Sequence, residues 1–363
     1  MNNPFKYGSI VEGGFFTNRT DDLEKVAQII QSSNHLILIS PRRYGKTSLI
    51  HRAITSLDRP VIFLNLQLVT SVSDLATELL KRILNIYKIE KTKHFFKNFR
   101  FVPTISLNPV SNAFDISFAP TSSAKPILED VLTLIETLGK KGKKPIVIFD
   151  EFQEIRVIDK MLDKQLRSII QHHQRINYVF MGSQESLMQD IFERKKSPFY
   201  HFGTLQTLDV IPYSDFESFL KNGFSSLRQK STNSIAKDIL LFTRQHPYYT
   251  QMLAFHYFNA LLRNKQSTMQ DVVLSIVHEH DVDYERLWMS LNLKDRELIL
   301  ELIYIEKGLK TIKNHNIPTS TRYSAYKRLL QNGYLIQTKE GYKVEDPFFA
   351  TWIVDKREKM EVV

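Results

Sequence analysis

Apolar residues in this chain fall into two kinds of run. Four runs are continuous and stop abruptly: "HLILIS" (35–40), "RPVIFLNLQ" (59–67), "KPIVIFDE" (144–151) and "NYVFMGS" (177–183). Such runs predict strands buried on both faces. Between them apolar positions recur at helical spacing, over 21–32 (Leu23, Val26, Ala27 and Ile30 on one face), 46–56, 73–87, 124–139 and 158–173. Alternation of the two predicts a parallel sheet with helices on both sides. Residues 1–20 read as an extended lead-in. Over 88–123 the pattern changes. "FVPTISLNPVSNAFDISFAP" alternates polar and apolar positions around Asn-Pro-Val-Ser-Asn, which predicts a β-hairpin inserted between a strand and the next helix. From about 215 the strands stop and helical spacing takes over. Residues 318–344 then predict a capped helix, a glycine stop and two short strands joined by Lys-Glu-Gly. Helix, helix, hairpin is the winged-helix order.

The end of the first strand run brings in chemistry. "SPRRYGKTS" (40–48) follows a buried strand and opens a helix. A phosphate-binding loop needs those three parts: converging backbone N–H groups, a lysine for the β- and γ-phosphates, and a hydroxyl for Mg²⁺. Lys46 and Thr47 stand in the last two roles. Gly45 stands where the backbone passes close to the β-phosphate. The usual opening glycine is Ser40, whose small side chain lies farther from that contact and is tolerable. Arg42 and Arg43 add positive charge or point to solvent. The third strand run delivers Asp150 and Glu151 to a carboxyl end, where open α/β sheets bind ligands. There Asp150 would hold Mg²⁺ and Glu151 would polarise water. The fourth ends at Ser183-Gln184. Either side chain can hydrogen-bond a γ-phosphate or the lytic water; equally, Ser183 can cap the helix that follows.

Composition narrows the rest. Of 363 residues 42% are hydrophobic and 24% charged, as in ordinary globular proteins, and the length suggests two or three domains. There is no cysteine, so disulfides and thiolate metal sites are excluded. The 11 histidines show no metal spacing, and "QHHQ" (171–174) reads as a polar helix end. Lys and Arg outnumber Asp and Glu by 49 to 39, which favours anionic partners. No apolar run reaches the roughly 20 residues of a membrane span and the first residues lack a signal-peptide layout, so the cytoplasm is the expected location.

Five segments occur in a telling order: "ISPRRYGKTSLI", "IVIFDEFQEI", "VFMGSQESLM", "RQHPYY" and "VEDPFFATWIV". Together they resemble the archaeal ATPase family, a group of the STAND/AAA+ class of P-loop ATPases, over about 10 to 355. The family also resembles origin-recognition-type initiators. The resemblance implies an α/β P-loop NTPase core with a parallel sheet (1–213, hairpin insertion about 88–123), a helical lid (214–290) and a C-terminal winged-helix domain (291–363). It implies ATP and Mg²⁺ as cofactors, with ATP hydrolysed to ADP. The phosphate loop would be Ser40, Pro41, Arg42, Arg43, Tyr44, Gly45, Lys46, Thr47 and Ser48. Asp150 would assist the metal, with Thr47, and Glu151 would be the catalytic acid residue. "FFTNRTDDL" (15–23) resembles the entry motif that packs near adenine, with Arg19 at its centre. His246 and Pro247 resemble a lid motif that closes over base and phosphates, with Gln245 where glycine is usual. Where many members have an arginine after a "PFY"-like motif, this chain has His201 and Phe202, which puts an arginine finger and fast turnover in doubt; Arg194 is a substitute or a surface ion pair.

The output is less defined. In the expected winged helix, Arg322, Lys327 and Arg328 form a basic helix face and Lys339 and Lys343 a basic wing, as for DNA. Yet 291–363 holds 13 Lys and Arg against 10 Asp and Glu, little for a DNA reader. The same module can instead latch a closed state. Residues 85–100 carry five cations against one acid, interleaved with Phe95, Phe96, Phe99 and the adjoining Phe101. They form a partner or nucleic-acid surface, or a helix with aromatics in the core. A nucleotide-driven switch, an ATP-shaped DNA-binding protein and a non-hydrolysing scaffold are the three readings, with a protein partner or self-association open in each.

Overall fold

The central strands set the architecture, because their side chains require cover on both faces. The structure, a computed structural model, describes residues 2–17, 19–87, 92–108, 114–119, 121, 123–140, 143–227, 232–264, 266–308, 318–338 and 341–361. The chain divides into two compact units.

One unit comprises Arg19–Pro41 and Lys46–Asp209. Its sheet is all parallel, in the order β2-β5-β6-β1-β7. The strands are β1 (Leu36–Ile39), β2 (Val61–Asn65), β5 (Ile146–Asp150), β6 (Asn177–Gly182) and β7 (Thr204–Thr207). The three inner strands β1, β5 and β6 are buried at every position. The edge strand β2 is not: Phe63 is 37% exposed. The expectation of burial on both faces therefore fails for β2, because an edge position leaves alternate residues uncovered. The other edge, β7, has no apolar run (Thr-Leu-Gln-Thr), so nothing in its pattern announces a strand.

Helices α1 (Thr20–Gln31), α2 (Lys46–Thr55), α3 (Val72–Tyr87) and α4 (Lys125–Leu138) fall where apolar spacing places them. The helix expected over 158–173 is shorter, α6 (Leu162–Ile170), and a separate helical turn, α5 (Ile155–Ile158), precedes it. Asp159 keeps the two apart, extended and with its carboxylate accepting the Met161 N–H, a local bond that competes with the helix. Helix α7 (Glu185–Phe192) follows β6.

Strands β3 (Thr104–Leu107) and β4 (Phe114–Ser117) form the inserted antiparallel hairpin; its Asn-Pro-Val-Ser-Asn turn lies largely outside the described residues. Phe96 and Phe99 are buried in this unit's core, with Phe95 and Phe101 packed against it, so these aromatics are core residues. Arg100 beside them pairs with Glu129 and Asp130.

The other unit comprises Met1–Asn18, Arg42–Gly45 and Val210–Val363. Its helices are α8 (Tyr213–Ser225), α9 (Thr232–Thr243), α10 (Pro247–Arg263), α11 (Met269–Glu279), α12 (Asp281–Ser290), α13 (Leu293–Glu306), α14 (Thr319–Gln331) and α15 (Pro347–Glu361). An antiparallel pair, β8 (Leu335–Thr338) and β9 (Gly341–Val344), lies between α14 and α15. A single buried cluster runs from Phe5 through α8–α13 to Phe348, Trp352 and Ile353. The lead-in is thus not merely extended. The Phe5 ring packs against Phe219, Phe224 and Phe258, and a Cβ on Gly223 would sit 2.4 Å from it. Asn3 donates to the Phe255 carbonyl and to Asn259.

Candidate nucleotide site

In a parallel sheet the carboxyl ends of neighbouring strands lie side by side. Ile39 pairs with Gly182 and Phe149 with Phe180, so the segments leaving β1, β5 and β6 start level along one edge. Those segments carry Lys46, Asp150–Glu151 and Ser183.

The loop after β1 is shaped by backbone sign changes. Arg43 (φ 63°) and Gly45 (φ 89°) are both left-handed, with Tyr44 between them at negative φ. Alternation of this kind turns successive N–H groups into a concave anion nest. A Cβ on Gly45 would meet nothing within 4 Å, so glycine is needed here for its dihedral. Ser40 is buried, continues the ladder through its N–H to the Gly182 carbonyl, and turns its hydroxyl to the Pro41 carbonyl. Lys46 heads α2 and is buried, its ammonium donating to the Ser40 and Pro41 carbonyls at 3.0 and 3.2 Å. Ser48 is buried, Thr47 half-buried and Arg42 exposed.

Asp150, the last residue of β5, is buried. Burial first, then the charge of Glu151, pushes its carboxyl up to about 6, while Lys46 and the Glu151 N–H pull the other way. A carboxylate held in so unfavourable a place suits a divalent cation, and Thr47 offers a hydroxyl at the head of α2. Among the described residues no cluster of three or more His, Asp or Glu could cage a metal. Mg²⁺ takes one or two protein oxygens and completes its shell with phosphate and water. Asp150 and Thr47 would hold it. When bound it would neutralise charge on the phosphates.

Glu151 adopts φ 53°, left-handed and strained for a side chain of this type. Its Oε2 accepts three donors: Gln153 Nε2 at 2.6 Å, Ser183 Oγ at 2.6 Å and the Ser183 N–H at 3.3 Å. Ser183 therefore does not cap α7. The capping position is Gln184, whose side chain makes no cap bond. Sequence reasoning missed Gln153, and also Glu185 in the first turn of α7, whose carboxyl is raised by burial and Asp209 and lowered by Lys46. The signal for Gln153 was its place two residues past the acid pair.

The remaining expected residues divide between the units. Arg19 is buried and donates to Asp22 and the Asp209 carbonyl, both at 2.9 Å. In the other unit His246 is the N-cap of α10, its Nδ1 accepting the Tyr248 and Tyr249 N–H groups, and Pro247 is the first helical residue. The His246 ring lies 4.8 Å from the Tyr44 ring, and the Arg43 guanidinium 4.4 Å from the Tyr248 ring. The His246 Nε2 is 3.7 Å from Glu345, too far for a hydrogen bond, and burial lowers the ring's pKa. Asp346 caps α15 through the Phe348 and Phe349 N–H groups and accepts from Tyr284; burial raises its pKa and the charge of Arg43 lowers it. Two cations of the α14 face are occupied: Arg322 pairs with Glu301, and Arg328 with the buried Asp295 through two bonds. Lys327 is exposed, and Lys339 lies outside the described residues. Arg194 pairs with Asp190.

A lysine heading α2 with an acid pair two strands away on the same sheet edge is the arrangement of P-loop ATPases, and this protein is a nucleotide-binding one. Its family follows from residues 16–253, which match the model of an ATPase domain predominantly from Archaea; the chain belongs to that family. A Walker-type ATPase of Pyrococcus abyssi is similar over 94% of this chain and 96% of its own, at 18% identity and a TM-score of 0.64. The ORC2 protein of Aeropyrum pernix, described as ADPNP–ADP complexes, is similar over 99% and 100%, at 13% identity and a TM-score of 0.54. At such identities the likeness is one of fold. No curated protein matches the chain in sequence. Among the described residues no helix is long and apolar enough to cross a membrane.

Proposed function

We propose that this protein is a slow, Mg²⁺-dependent ATPase that works as a nucleotide-driven conformational switch. Lys46 and the nest at 40–45 take the phosphates, Thr47 and Asp150 take the metal, and Glu151 polarises the attacking water. The observation that carries the reading is the common sheet edge from which Lys46, Asp150, Glu151 and Ser183 all depart. Slowness is supported at two points. Ser183 has one hydroxyl proton and spends it on Glu151. At the position of the related arginine, the Phe202 ring packs under Arg167 and beside His35. A switch role is supported by Arg43, a residue of the loop itself, which rests on Tyr248 near Asp346.

The test uses two variants of the full chain. Lys46→Ala is expected to lose most of its ATP affinity. Glu151→Gln is expected to keep affinity and lose roughly 100-fold or more in phosphate release. A Lys46→Ala protein that binds ATP as tightly as the parent sinks the proposal. DNA binding in which ATP fixes the shape is less well supported, since Arg322 and Arg328 are neutralised within their own unit. A gel shift at low salt that falls steeply with added salt would revive it.

A further inference from the structure

The three hydrogen bonds to Glu151 all reach one oxygen. Among the described residues its Oε1 accepts none, so the carboxylate has one saturated and one open oxygen. Two of the donors come from Ser183 and the third from Gln153, which no motif assigns. Gln153 is 3% exposed. A carboxylate only accepts, so the amide must present its NH₂ to Glu151. Its own Oε1 is then buried without a partner. An unpaired buried carbonyl oxygen is a standing cost, so packing alone is a poor reason for glutamine here. The backbone also makes room for it: a Cβ on Gly182 would sit 2.6 Å from Gln153 Oε1 and 2.4 Å from Met188 Sδ.

The donors differ in what they can do next. Ser183 has a single hydroxyl proton, so it cannot serve Glu151 and a γ-phosphate at once. Gln153 lies behind the carboxylate, walled in by Gly182 and Met188, and has no such alternative. We infer that Gln153 is the positioning residue of the hydrolytic site, fixing Glu151 by Oε2 so that Oε1 stays turned to water after Ser183 is drawn to phosphate. This rests on the role of Glu151 in the function proposed above.

The experiment compares Gln153→Met and the isosteric Gln153→Glu with the parent and with Glu151→Gln, all as full chains with Mg²⁺ and ATP. ATP affinity, phosphate release and thermal unfolding are measured for each. In whichever Gln153 variant unfolds like the parent, affinity should stay within about twofold while kcat falls about tenfold or more, as misplacement of a reacting group does. Adding Gln153→Met to Glu151→Gln should cost nothing further, because the residue acts only through Glu151. Equal losses in both backgrounds, or full turnover in a folded Gln153 variant when Glu151→Gln is impaired, overturn this inference alone. Full turnover in Glu151→Gln overturns the reading beneath it as well.

Discussion

Burial, with the charges of His173, Arg167 and Lys144, pushes the His35 ring down to about 4, while its Nδ1 accepts the Tyr178 N–H. The unfolded chain takes up a proton near 6.5 that the folded one refuses. Stability from this group is therefore complete above 6.5 and lost as pH falls toward 4, by at most about 3 kcal/mol. Urea midpoints at pH 7 and pH 5 should differ in the parent and converge in His35→Gln; equal midpoints in the parent would refute the assignment. Single residues were unevenly legible in the sequence. Lys46 stood out at the head of a helix, and Asp150 with Glu151 just after it at the end of a strand, and local pattern marks both. Gln153 did not, since its meaning lies in a carboxylate oxygen shared with Ser183, thirty residues later in chain order. Ser183 was legible as polar at a strand end but not as a donor to Glu151.

At the scale of elements, the inner strands were readable because cover on both faces demands unbroken apolar runs. The edges were not: β2 looked more buried than it is, and β7 has no apolar signature. The inserted hairpin was readable from alternation, and the split between α5 and α6 was hidden in one aspartate. The lead-in shows how far an anchor can stand from its socket. Phe5 is 2% exposed and fills the space that Gly223 leaves on α8. Phe5→Ala should cost about 3–5 kcal/mol, the usual penalty for emptying such a site. Denaturant unfolding of the variant measures it; a loss under about 1 kcal/mol would mean the site collapses around the gap. Element α14 tells the opposite story, a basic face in sequence whose arginines turn to acids at hand.

For the molecule as a whole, each unit keeps a separate buried cluster, one around the parallel sheet and one around Phe5 and the later helices. Two cores predict two thermal transitions. Phe5→Ala should lower one and leave the other. Mg²⁺ with ATP at about 100 times Kd should stabilise the sheet unit by about 2.7 kcal/mol, and Lys46→Ala should erase that gain. Calorimetry with and without nucleotide reads all three, and one transition displaced as a whole by Phe5→Ala would show a single cooperative fold. Arg43 and Tyr44 bear on how the protein could be recombined. Their rings and charge are matched to Tyr248 and His246, two hundred positions downstream. A chimaera spliced only at residue 210 would therefore inherit a mismatched pair, and a clean exchange of the C-terminal part has to carry Arg42–Gly45 of the loop after β1 along with it.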